Sequence, residues 1–238
     1  MTNKNENIVE MDFASLSANN EELNYSVPSS MTEEFRSIKR AILKVAFATE
    51  PGQKNKNRIM ITSVNRGEGK SFISANLAQA ASLETGIQTL LVDVNVQNPT
   101  LSSIASTNSD IGLIDFLSDA TGEIQDYIFT TNRNRLKFLA VGNNNYLANE
   151  LLGGDKMTTL MRELNTRYDD RLVILDCPHI AGVNETLAIA KHADQILVVV
   201  EEGKTTVNDL KKTVSLLPEG IAIHYLVNRT LQVKVWNT

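Results

Sequence analysis

Cysteine is almost missing from this chain: Cys177 stands alone among 238 residues. One thiol allows no disulfide within the chain, so the fold must rest on its core, and a reducing cytoplasm suits it. Histidine is scarce as well, and His179, His192 and His224 show no spacing that would hold zinc. No window approaches the roughly 20 consecutive apolar residues that span a bilayer. The opening MTNKNENIVEMDF has no apolar signal core, which argues against secretion. The chain is therefore expected to be cytoplasmic, reaching a membrane only through a partner. Positive charge is not in excess: the net charge is −5, which leaves no electrostatic footprint for nucleic acid. Internal repeats and low-complexity tracts are absent too. What remains is an ordinary globular composition, 42% hydrophobic and 21% charged. Its length supports a full α/β core without metal or disulfide help.

Residues 1–31 are polar, rich in Asn, Ser and Glu, and read as an N-terminal arm, with Val9, Met11, Phe13 and Leu16 available to anchor it. Residues 32–238 read as one P-loop domain. A helix is expected from Thr32, with Thr32 as N-cap, Glu33 and Glu34 in the first turn, and Phe35, Ile38, Ile42, Leu43 and Val45 on its apolar face. Pro51 to Asn57 reads as a loop. Short β-type runs then follow at Ile59–Ser63, Thr89–Asp93, Leu136–Leu139, Leu172–Asp176, Gln195–Val200 and Ala222–Val227. Helical patterns lie between them at Lys70–Leu83, Ile111–Leu117, Asp155–Tyr168, Glu185–Lys191 and Thr205–Leu216. Such alternation predicts a doubly wound, mostly parallel sheet, and runs such as LVIL and ILVVV suit strands covered on both faces. Ligands of such sheets sit beyond the carboxyl ends of the strands. Three strands end there in polar residues, Ser63, Asp93 and Asp176.

The stretch IMITSVNRGEGKSFISANL, from Ile59 to Leu77, places an apolar strand, a glycine-bearing turn and a helix in succession. This is the arrangement of a nucleotide-phosphate loop. Backbone N–H groups of the turn and helix start face the phosphates, Lys70 neutralises β and γ oxygens, and Ser71 supplies a hydroxyl for Mg²⁺. Gly67, Glu68, Gly69, Lys70, Ser71 and Phe72 are the candidate ATP-binding residues. One departure is visible: Val64 stands where G-x-x-x-x-G-K-[ST] has its first glycine. Asp176, ending LVILD, is placed to hold the metal, often through water. Asp93, ending LLVD, can coordinate the metal or accept a proton from an attacking hydroxyl. Lys70, Asp93 and Asp176 are thus the candidate catalytic set, and Ser71, Asp93 and Asp176 the candidate metal ligands. Cys177 reads as a small buried residue. Of the histidines, His179 alone lies near this chemistry.

From about Met11 to Arg229 the chain resembles bacterial tyrosine kinases of polysaccharide co-polymerase systems, relatives of the MinD/ParA ATPases. It is most similar to the autokinases of exopolysaccharide/exosortase loci. The stretches carrying the resemblance are EEFRSIKRAIL, ITSVNRGEGKSFISANLA, LLVDVNVQNPTL, GLIDFL, ELLGGDKMTTLMREL, VILDCPHIAGVNETLAIAKHAD and ILVVVEEGKTT. The resemblance implies γ-phosphoryl transfer from ATP to a tyrosine hydroxyl, control of exopolysaccharide assembly, and a membrane-embedded co-polymerase or chain-length protein as partner. It also implies an adenine-contacting turn at Asn228 and Arg229. In ring-forming relatives an E-x-x-R-x-x-R helix packs subunits together. Glu33, Arg36 and Lys39 match it, with lysine in the last place, so a homo-oligomer is implied.

Three departures bear on activity. Asn95 and Gln97 stand where the family's D-x-D-x-R strand has its second aspartate and its arginine, and an amide cannot act as a base at neutral pH. His179 replaces the second proline of D-x-P-P. The residues after Arg229, TLQVKVWNT, hold no tyrosine cluster; the five tyrosines are Tyr25, Tyr127, Tyr146, Tyr168 and Tyr225. A catalytically weak, nucleotide-dependent regulatory paralogue is therefore the alternative. A MinD/ParA positioning ATPase fits less well, because its extra P-loop lysine is Asn65 here and no amphipathic terminal helix is evident.

Overall fold

The computed structural model describes residues 8–47, 55–106, 111–119, 121–143, 146–166 and 170–230. The chain begins with β1 (Ile8–Met11), a 3₁₀ turn at Phe13–Leu16, α1 (Ser30–Ala46), β2 (Arg58–Ser63), α2 (Lys70–Ser82) and β3 (Gln88–Asp93). Next come α3 (Thr100–Ser103), β4 (Ala105–Ser106), α4 (Leu113–Ser118), a 3₁₀ turn at Ile124–Tyr127, β5 (Phe129–Thr131) and β6 (Leu136–Leu139). The rest is α5 (Ala148–Leu152), α6 (Asp155–Thr166), β7 (Arg171–Asp176), α7 (Asn184–Ala190), β8 (Gln195–Glu201), α8 (Val207–Val214) and β9 (Ala222–Asn228).

Among the described residues the strands form one nine-stranded sheet in the order β4-β1-β5-β6-β3-β7-β2-β8-β9. All pairs from β6 to β9 are parallel, while β1–β4 and β5–β6 are antiparallel. Side chains alternate across the pleat, so consecutive residues of one strand serve opposite cores. Met60, Leu90, Val92, Val173, Leu175, Ile196 and Val198 pack with residues of α4 to α7 such as Leu113, Leu152, Leu160 and Ile189. Ile59, Ile61, Leu91, Leu172, Ile174, Leu197 and Val199 pack on the other face with Phe35 and Ile42 of α1 and Leu77 and Ala78 of α2. The central strands are apolar at nearly every position because both faces are covered.

Some local expectations are corrected. Helix α1 begins before Thr32, and its N-cap is Ser29, whose hydroxyl accepts from Thr32 N at 3.2 Å. Thr32 returns the bond by accepting from Ser29 N at 2.8 Å. This reciprocal capping box turns the buried Thr32 into the third helical residue rather than the cap. Similarly α8 starts at Val207 with Thr206 as cap, because the Thr205 side chain is turned toward the phosphate loop. Val9, Met11 and Phe13 are buried, and backbone pairing makes residues 8–11 a strand beside β5. Strands β4 and β5 are too short, at two and three residues, to show a period in the sequence. The expected end of α6 at Tyr168, residues 51–54 of the expected loop, and the segment from residue 231 onward lie outside the described residues.

Candidate functional site: a phosphate loop backed by two aspartates

The site grows from the carboxyl ends of β2, β3 and β7 at the centre of the sheet. After Ser63 the chain turns through Val64–Gly69 and enters α2 at Lys70. Gly67 (φ +85°) and Gly69 (φ +92°) hold left-handed conformations that side chains resist. A Cβ on Gly69 would also lie 2.3 Å from Asn228 Nδ2 and would displace that amide. Val64 explains the missing first glycine: its φ is not positive, and its side chain is buried in the core.

The loop is pinned through Glu68, which is fully buried. Its carboxylate accepts from Asn65 N at 2.8 Å and from the Thr205 hydroxyl, while its carbonyl accepts from Asn228 Nδ2 at 2.9 Å. The turn after β8 and the end of β9 are thereby tied to the loop. Lys70 is 7% exposed, and burial lowers its pKa, opposed by the charges of Asp176 and Glu68.

Asp93 and Asp176 are register partners at the ends of β3 and β7, both completely buried. Asp176 accepts from Ser71 Oγ at 2.6 Å and from Ser74 Oγ at 2.9 Å. Asp93 accepts from Asn95 N at 3.1 Å and from both the amide and the hydroxyl of Ser102 at 2.9 Å. Burial raises both carboxyl pKa values, and for Asp93 the neighbouring Asp176 charge adds to the rise. Two adjacent buried carboxyls resist ionising together unless positive charge arrives.

A cavity of about 390 Å³ opens over the loop, lined among others by Gly67, Gly69, Lys70, Ser71 and Phe72 from one side and by Asn95 and Gln97 from the other. Phe72 also meets Phe35 edge-on, at 6.0 Å between ring centres. Asp93 does not line the cavity; it lies behind it, holding the turn that presents Asn95. Among the described residues no three His, Cys, Asp or Glu side chains gather into a metal cluster. The donor set present suits a hard cation that keeps its waters: the Ser71 hydroxyl at the cavity, with the Asp176 carboxylate behind it.

Comparison with known proteins follows this geometry. Residues 59–230 match the model of the CobQ/CobB/MinD/ParA nucleotide binding domain. The chain is 30% identical over 174 residues to the tyrosine-protein kinase YwqD of Bacillus subtilis, covering 73% of this chain and 70% of YwqD. It belongs to the bacterial tyrosine kinase family. It is also 30% identical over 210 residues to the succinoglycan biosynthesis transport protein ExoP of Rhizobium meliloti, covering 85% of this chain and 25% of ExoP. The chain spans about a quarter of the length of such large relatives. Among solved structures, the chimerical protein CapA2B2 superposes with a TM-score of 0.73 at 29% identity, covering 85% of this chain and 86% of that one. The fold expected from sequence, a doubly wound P-loop sheet of MinD/ParA type, is the fold observed.

Within this bacterial kinase fold the expected site residues do not all meet. Gly67, Glu68, Gly69, Lys70, Ser71, Phe72 and Asp176 converge, and Asn228 touches the loop. Arg229 turns away, with φ +55°, to pair with Glu201 at 3.1 Å. On α1, Arg36 pairs with Glu33 and donates to Tyr25 O at 2.6 Å, and Lys39 pairs with Glu84 at 2.7 Å, so this stripe has partners within the chain. Sequence reasoning missed Ser74, Ser102 and Thr205. Ser74 was within reach, one helical turn beyond Ser71 and hence on the same face. Thr205 lies 137 positions from Glu68 and carries no local signal. Among the described residues no helix is long and apolar enough to cross a membrane.

Proposed function

We propose that this chain binds ATP with Mg²⁺ and transfers the γ-phosphoryl group to a protein tyrosine hydroxyl. Acting on the cytoplasmic side with a membrane-embedded polysaccharide co-polymerase, it regulates exopolysaccharide synthesis and export. The observation that carries this reading is the part-buried Ser71–Asp176 hydrogen bond beneath a glycine-lined loop bearing Lys70. In that arrangement the loop amides and the Lys70 ammonium take the phosphate charge, and Asn228, which touches the loop, is the residue left to border the base. Ser71 and Asp176 would hold Mg²⁺, whose charge would further neutralise the phosphate oxygens. Because Lys70 is buried, its charge acts in a medium of low dielectric, where it counts for more than in water. Assembly of several copies through Glu33, Arg36 and Lys39 belongs to the same proposal. It requires Arg36 and Lys39 to exchange their present partners for those of a neighbour.

A second reading, a catalytically weak regulator, is favoured by one observation: the amides Asn95 and Gln97 line the cavity where the family places a carboxylate and a guanidinium. Incubation with γ-labelled ATP and Mg²⁺ tests both readings. Label on tyrosine supports the kinase. Tight binding with neither labelled protein nor released phosphate supports the regulator.

A further inference from the structure

The cavity over the phosphate loop has one wall that a nucleotide does not explain. Asn228 meets the loop from the β9 side without lining the cavity, and β9 and β3 lie on opposite sides of β2 in the sheet. A nucleotide whose base rests by Asn228 therefore points its γ-phosphate toward β3, where Asn95, Asn98 and Thr100 line the cavity. An acceptor enters from that side. Among the described residues of the lining, two carry apolar side chains, Phe72 of α2 and Leu16 of the N-terminal arm. A triphosphate and its hydrated cation gain nothing from apolar surface. Leu16 is nonetheless fixed there. Strand β1 lies between β4 and β5, Asp12 N donates to Ile104 O at 3.0 Å, and Phe13 is buried in the core. The 3₁₀ turn that follows is closed by Ser15 Oγ donating to Asp12 O at 2.8 Å and by Ser17 N donating to Ala14 O at 3.0 Å. Phe72 is braced by the edge-on ring of Phe35.

Resting on the kinase reading above, we propose that Leu16 and Phe72 form the slot that receives the aromatic ring of the acceptor tyrosine, so that the N-terminal arm sets acceptor specificity. The phenol ring lies against the leucine and the phenylalanine ring, a pairing that aromatic side chains favour edge-on or offset. Its hydroxyl then points over Lys70 toward the γ-phosphate. The amides of Asn95, Gln97 and Asn98, also on the wall, can donate to and accept from the peptide backbone around it. A tyrosine hydroxyl stands at the end of a flat, rigid ring and reaches a recessed phosphate while its own backbone stays outside. A serine hydroxyl, one carbon from the backbone, does not reach it and leaves the apolar slot empty. Leu16 thus selects the acceptor and takes no part in moving the proton or the phosphoryl group.

The test is steady-state phosphorylation of a tyrosine-containing peptide by the full chain, with Leu16→Ala, the polar Leu16→Asn and the volume-conserving Leu16→Met beside the wild type. Calorimetric titration with ATP accompanies each variant. One methylene in an enclosed hydrophobic pocket is worth about 10- to 200-fold in discrimination, and a half-buried wall returns less. We expect KM for the peptide to rise about 5- to 20-fold in Leu16→Ala and Leu16→Asn, with a smaller change in kcat and an unchanged affinity for ATP. Leu16→Met should stay near the wild type. Should Leu16→Ala fail to fold, Leu16→Val carries the same test with a smaller rise in KM. An active wild type with folded truncations that keep its peptide KM would overturn the slot alone. So would a matching loss of ATP affinity, which would place Leu16 against the nucleotide. A wild type that binds ATP but never labels tyrosine overturns the kinase reading, and the slot with it.

Discussion

Replacing Thr205 by valine is the sharpest perturbation of the loop, because it keeps the shape of the side chain and removes one hydroxyl. That hydroxyl donates to the carboxylate of Glu68, a group with no solvent exposure. The carboxylate would keep Asn65 N, at 2.8 Å, as its main donor. A hydrogen bond to a charged group contributes about 1.5–3 kcal/mol, and a buried acceptor left short of partners forfeits that amount. Melting of a chain this size shifts by about 2–4 °C per kcal/mol, so the midpoint should drop by about 3–12 °C. Because Glu68 closes the loop onto Asn65 and Asn228, part of the loss should also appear in nucleotide binding. If half of it does, affinity for ATP falls about 3- to 12-fold, taking 1.4 kcal/mol as tenfold. Calorimetric titration with ATP and with tripolyphosphate reads this directly. Both ligands should weaken alike, since the change acts on the phosphate loop, and Thr205→Ser should recover both. Unaltered melting and affinity in Thr205→Val would refute the view that Thr205 organises the loop.

Other consequences follow from the same geometry. Asp176→Ala should blunt the Mg²⁺ dependence of nucleotide binding more than binding itself, because the loop amides and Lys70 remain; titration with and without Mg²⁺ decides, and an unchanged Mg²⁺ response would make Asp176 purely structural. Truncating Glu33 and Arg36 together should shift any oligomer toward monomer in sedimentation while ATP still binds, and a wild type monomeric at every concentration would end that proposal. Restoring Asn95→Asp with Gln97→Arg should raise phosphoryl turnover at least ~10-fold, since well-placed charges at a transferring phosphoryl group are worth on the order of 10²-fold. Turnover already high and unimproved by the pair would show that the amides limit nothing.

Much of this molecule was legible in its residues because the governing signals are local. LVILD, ILVVV and TLLVD read as strands covered on two faces, and GEGKS between a strand and a helix reads as a loop open to an anion. The resemblance to bacterial tyrosine kinases rested on the same segments and agrees with the family observed. Less legible was whatever depends on distant partners. Nothing around Thr205 announces Glu68, and nothing around Asp93 announces Ser102, so neither set of bonds could be read from local sequence. The start of α1 was misplaced for a smaller reason. Ser29 and Thr32 are both good caps, and only the extended backbone of Ser29, at φ −140° and ψ 161°, selects between them.

The central claim is that Lys70 and its loop deliver the γ-phosphoryl group of ATP to tyrosine. Mass-spectrometric mapping after incubation with ATP and Mg²⁺, wild type against Lys70→Ala, tests it most directly. We predict phosphotyrosine in the wild type or its peptide substrate and none with Lys70→Ala, whose fold should persist because the lysine side chain serves the cavity rather than either core. Equal phosphotyrosine in the two proteins, or none in the wild type despite bound ATP, would contradict the account.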